Sequence, residues 1–252
     1  MTHTIDNFDA IREHLKFDKP GDIYVVHVMF RVKDLRNDAD KQMYLSHEET
    51  QRLVRTYYVD SLSYLDKKIP AMKDLAINNK ARVYFTMTRK NRLTCNRVIL
   101  KKLVDEVDNP NVRYDHLIRS AVCGCHISDY KWWTLDIDND TEVRLRSGEY
   151  GEYSFRKAKL VDFKDEIVRQ IARLVDKTKT RSGSEIFTVP TKNGYHIMTP
   201  PFNRSEDILV KNGGSEEVSE NYEYGDDGIE SFELGDNLKT DAMTLAYFQW
   251  ED

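Results

Sequence analysis

The stretch Trp132-Trp133-Thr134-Leu135-Asp136-Ile137-Asp138-Asn139-Asp140 constrains this chain more than any other. An apolar run leads into Asp-x-Asp, and the carboxylates alternate with Leu135 and Ile137. In a strand, residues i and i+2 project to one face. Asp136 and Asp138 then stand side by side at the strand's end, while Leu135 and Ile137 enter a core. Two hard oxygen ligands so placed suit Mg²⁺ or Mn²⁺. The plainer reading of Asp-Asn-Asp is a strand ending in a polar turn, so other stretches have to decide.

The 252 residues suffice for one large domain or two small ones. No apolar run approaches the roughly 20 residues that span a bilayer, so no membrane partner is expected. Met1-Thr2-His3-Thr4-Ile5-Asp6 has neither a basic nor an apolar export region, which predicts a cytoplasmic protein, or one of the host cytoplasm if viral. Three cysteines cannot make a disulfide framework. Cys123-Gly124-Cys125-His126 invites zinc, with only Cys95 or a distant histidine to complete the set. The alternative is small buried thiols near a helix end.

The net charge of −5 hides an uneven distribution. Residues 81–103 hold seven Lys or Arg and no acid, whereas residues 213–236 hold nine Asp or Glu and no base. The basic stretch is either a solvated helix face or a surface for phosphates. The acidic one, with its five glycines, predicts a mobile insertion over about 204–236.

Apolar patterning predicts strands near residues 23, 82, 132, 185, 195 and 238–248. The last of these is expected to be a strand pair turning near Asp241-Ala242. Residues 1–20 suggest a short helix or an adapting arm. Ser46 with Glu49 predicts a capping box opening a helix through Leu53, Val54, Tyr57, Tyr58, Leu62 and Leu65, which Pro70 interrupts. A basic helix follows residue 92, with Val98, Leu100, Leu103 and Val104 on its buried side. Residues 113–126 are helical, residues 141–158 form a loop or exposed hairpin, and Leu160–Val175 form an amphipathic helix. Asn193-Gly194 suits a tight hairpin. The order predicts an α+β fold, a mixed or antiparallel sheet with helices on one face. Residues 1–80 form an N-terminal extension on a core of residues 81–252.

Three stretches carry the chemistry. Asp136 and Asp138 end one strand, His196 lies on the second strand of a hairpin, and Asp241 sits between apolar runs. Three carboxylates suit two divalent ions and attack on phosphorus. Lys192 would add a positive charge beside a triphosphate, and Gly194 would let the backbone approach the phosphates.

In this order the residues resemble the three-motif pattern of the archaeo-eukaryotic primase superfamily. Asp136 and Asp138 match the first motif, His196 in Gly194-Tyr195-His196 the second, and Asp241 in Leu238-Lys239-Thr240-Asp241 the third. The match covers residues 131–248 and suits a minimal, phage-type primase-polymerase. It departs from the pattern around the second motif, at Thr191-Lys192-Asn193, and the family's frequent zinc element is absent or reduced to Cys123, Cys125 and His126. The resemblance implies an RRM-like sheet and a two-metal nucleotidyltransferase using Mg²⁺ or Mn²⁺, with His196 at the incoming nucleotide's phosphates. It implies a single-stranded template and nucleoside triphosphates as partners, with a replicative helicase as a further one. Arg82, Arg89, Lys90 and Arg92 would then face template phosphates. Two other functions use the same residues differently: a metal-dependent nuclease, and a non-catalytic module binding nucleic acid or protein.

Overall fold

The computed structural model describes residues 1–35, 41, 51–112, 114–123, 125, 130–147, 154–178, 185–203, 208–211, 229–232, 237–240 and 243–251. The class is α+β with antiparallel sheets, as expected. Three sheets occur among the described residues where the sequence predicted one. The chain divides into two units, Met1–Tyr130 with Met243–Asp252, and Lys131–Ala242. The boundaries therefore fall near 130 and 242, not near 80. No described helix is long and apolar enough to cross a membrane.

The first unit contains β1 (Thr2–Asp6), α1 (Phe8–Glu13), β2 (Asp22–Arg31), β3 (Gln51–Val59), α2 (Leu62–Asn78), β4 (Arg82–Asn91), α3 (Arg92–Asp105) and α4 (Tyr114–Cys123). The chain re-enters this unit at the end, as a long strand over Met243–Glu251. The sheet runs β1, this last strand, β4, β2, β3. β2 and β4 lie inside it, so their side chains are buried on both faces along nearly the whole of each strand. Residues 1–20 are thus a paired strand and a short helix whose Phe8 and Ile11 are buried.

Residues 53–59 form a strand, not the predicted helix; Ser46 and Glu49 lie outside the described residues. Leu53, Val54, Tyr57 and Tyr58 satisfy helical spacing, but Val54, Thr56 and the tyrosines favour a pleated surface, and β2 offers a partner ladder broken only by a bulge at Val54. The helix starts at Ser61, whose hydroxyl accepts a hydrogen bond from the Tyr64 backbone N–H at 3.1 Å. It runs through Pro70, which lacks a donor for the previous turn but does not end it. Burial of Leu65, Met72 and Ala76 offsets that loss.

Arg82, Arg89, Lys90 and Arg92 were expected to face phosphates; the first three are buried. Arg82 is buried and forks onto Asp34, with its Nε donating at 2.7 Å and its guanidinium over the Phe248 ring. Arg89 is buried between Asp18 and Asp22, at 2.8 and 3.1 Å. Buried Lys90 donates to the Cys125 carbonyl. Arg92 alone of the four is substantially exposed, and it pairs with Asp60. These strand residues alternate into a sheet covered on both sides, so each cation is matched locally. Buried pairs are costly to break, because the remaining charge stays out of water. Arg82→Ala is expected to destabilise the first unit by about 3 kcal/mol. Urea unfolding measures this, and Arg82→Met/Asp34→Leu should regain most of the loss. In α3, Cys95 is the buried residue, whereas Leu100 and Val104 lie in solvent, opposite to expectation. Cys95 and Cys125 are buried in one apolar cluster with Ile23, Val25 and Val122. Cys123's side chain and His126 lie outside the described residues.

The second unit contains β5 (Trp133–Asp138), β6 (Glu142–Ser147), β7 (Ser154–Lys159), a 3₁₀ turn (Leu160–Phe163), α5 (Lys164–Thr178), β8 (Phe187–Pro190), β9 (Gly194–Thr199), β10 (Ile208–Lys211), β11 (Ile229–Phe232) and β12 (Leu238–Lys239). One antiparallel sheet is ordered β12-β5-β9-β8, the other β10-β11-β6-β7. Both pack on α5: Ile167, Ile171 and Leu174 join Leu135 and Ile137 of β5, Leu145 of β6, Ile197 of β9 and Ile208 of β10 in one core. The acidic insertion is in part structured, since β11 pairs with β10 and β6 and buries Ser231. The predicted strand pair at 238–248 does not form. β12 joins β5 in the second unit, and the strand from Met243 (hereafter β13) joins β1 and β4 in the first.

Candidate active site

The alternation expected in β5 holds. Leu135 and Ile137 are fully buried in the core, so Asp136 and Asp138 project from the opposite face. The turn after β8 is closed by the Thr191 N–H donating to the Gly194 carbonyl at 2.9 Å. It returns the chain as β9, antiparallel to β5. The register sets Asp136 opposite His196 and Asp138 opposite Gly194. Two of the three predicted motifs thus meet as cross-strand neighbours. The third, Asp241, lies outside the described residues.

His196 is buried, with its Nε2 3.3 Å from Asp136 Oδ1. On the other side of β5, β12 places Leu238 in the core and Lys239 outward. Lys239 Nζ donates to Asp136 Oδ2 at 2.9 Å. Asp136 is therefore held between an imidazole and an ammonium. The sequence reading missed Lys239, although a two-residue alternation beside Asp241 was there to be followed.

These neighbours hold the Asp136 carboxyl well below the usual carboxylate range. The hydrogen bond from His196 is the largest cause; charge from His196 and the Lys239 pair add to it, and burial opposes them. The sign follows from linkage: a depressed carboxylate stabilises the fold above its unfolded value, and that stability is lost as pH falls below it. Without metal, wild type should therefore lose about 1–3 kcal/mol more than Asp136→Asn between pH 5 and pH 2. Urea midpoints at several pH values measure it; equal slopes would disprove the coupling.

Gly194 has a different reason from the one expected. A Cβ there would meet the Ile137 carbonyl oxygen at 1.9 Å. It is needed for β9 to approach β5, whatever approaches from solvent. Lys192 sits exposed in the same turn, two residues away.

Two same-face carboxylates, one of them kept ionised, fit a hard divalent cation. The ammonium of Lys239 already answers the charge of Asp136. No group of three metal-ligating residues occurs among the described residues, and the expected third ligand, Asp241, is not one of them. The chain matches no family model, no curated protein and no solved structure.

Proposed function

We propose that this chain is a metal-dependent nucleotidyltransferase that copies a single-stranded template from nucleoside triphosphates. The observation that carries the reading is the cross-strand pair Asp136–His196, with Asp138 on the same face. An Asp-x-Asp strand beside a histidine strand is what the resemblance to the primase superfamily calls for.

Asp136, Asp138 and Asp241 would hold Mg²⁺ or Mn²⁺, and the bound ions would supply positive charge to the phosphate oxygens. His196 keeps Asp136 ionised and oriented, and would offer its ring to the triphosphate. Lys192, exposed in the turn before β9, adds a positive charge for the phosphates. Lys239 holds the Asp136 carboxylate in place from β12. A replicative helicase is the further partner this reading carries.

The test is nucleotide incorporation on a single-stranded template with Mg²⁺ and with Mn²⁺, in wild type and in Asp136→Ala/Asp138→Ala. Template-dependent extension or priming that the double variant loses supports the reading. Metal-dependent cutting of the template, without incorporation, replaces it by a nuclease.

A further inference from the structure

Three of the seven cations in residues 81–103, namely Arg82, Arg89 and Lys90, are buried, and the second unit carries a basic face of its own. In the β6–β7 hairpin, Val143, Leu145 and Ala158 pack on the core. Glu142, Arg144 and Arg146 therefore project the other way. The register sets Lys159 opposite Glu142, Lys157 opposite Arg144 and Phe155 opposite Arg146. That face thus holds four cations, one carboxylate and one phenyl ring.

Phe155 is 49% exposed, so part of its ring is open to solvent. The Arg144 guanidinium lies over it, 3.9 Å from the centroid. An open cavity of about 460 Å³ runs along the hairpin, lined by Arg144, Phe155 and Lys157 among others. Lys157 pairs with Glu142 at 2.9 Å, both largely in solvent. Such a pair contributes little, so a phosphate can take the carboxylate's place.

We infer that the outer face of this hairpin binds single-stranded nucleic acid. Cations spaced on two strands suit a polyphosphate backbone, and an exposed ring stacks on any base without choosing among sequences. Guanidinium suits this position because it can lie on an aromatic face and still donate at its edge. As the path of a template the surface rests on the proposed polymerase function; as a binding surface it does not.

The test is fluorescence anisotropy of labelled oligo(dU) and oligo(U), about 15 nucleotides long, with the full chain. Wild type binds, and more weakly as salt rises. Arg144→Ala/Lys157→Ala weakens binding about tenfold or more and lowers the slope of log affinity against log salt by about 1.4. Phe155→Ala weakens it about tenfold at unchanged slope, since stacking releases no counterions. Lys67→Ala/Lys177→Ala removes the same charge from exposed positions elsewhere and leaves both readings as in wild type. A preference for either oligonucleotide assigns the sugar and supports the surface. Wild type that does not bind, hairpin variants that bind normally, or an equal loss in the control pair overturns it. Binding without incorporation removes the polymerase reading alone; incorporation with normally binding hairpin variants removes this inference alone.

Discussion

Asp136→Ala/Asp138→Ala is expected to lose template-dependent incorporation by roughly 10³-fold or more, since groups placed for developing charge contribute on that scale. The loss should be chemical, not structural. Asp138 is exposed, and substitution of such a residue usually changes stability by less than about 0.5 kcal/mol. Removing Asp136 leaves Lys239, whose side chain is half exposed and regains water. The loss at His196 costs more, because its Nε2 is buried where it meets Asp136. A melting temperature lowered by about 2–6 °C, with intact circular dichroism, fits that ledger of about 1–2 kcal/mol. Incorporation in the double variant at the wild-type rate would remove both carboxylates from the chemistry.

Gly194→Ala should be the most damaging single-methyl change in the second unit, at about 4 kcal/mol or more. Overpacking commonly costs about 1–3 kcal/mol because neighbouring side chains move aside. Here the clashing atom is the Ile137 backbone carbonyl, and the next nearest is the Asp138 Cα, so neither can rotate away. Gly194 does not hold a positive φ, so the damage comes from volume and not from dihedral preference. Opening β9 from β5 would also pull His196 from Asp136, two residues along the same ladder. A urea midpoint equal to wild type would show that the strands are not this close.

Much of the second unit is legible in the chain. Period-two alternation through Leu135-Asp136-Ile137-Asp138 states which side chains enter the core, and period 3.6 through Phe163, Ile167, Ile171 and Leu174 states which face of α5 meets them. The turn chemistry of Thr191-Lys192-Asn193-Gly194 places β9 beside β8. Each of these is a local rule acting over a few bonds.

Other features follow from no local rule. Residues 53–59 fit a helix by spacing, and become a strand because β2 has an unpaired edge for them. Apolar runs on either side of Asp241 look like a hairpin, yet β12 and β13 enter sheets of different units. Arg82, Arg89 and Lys90 look like a surface for phosphates until Asp34, Asp22 and the Cys125 carbonyl arrive from distant positions. The sequence by itself determined the α+β class, the inward face of β5 and the adjacency of Asp136 to Asp138, because backbone geometry alone sets which side chains share a face. Only the tertiary structure decided that His196 and Lys239 flank Asp136, and that Arg144, Arg146, Lys157 and Lys159 share one face of β6 and β7. Strand partners and buried charge partners are chosen across long chain separations, by whichever pairing satisfies every backbone group and every buried ion together.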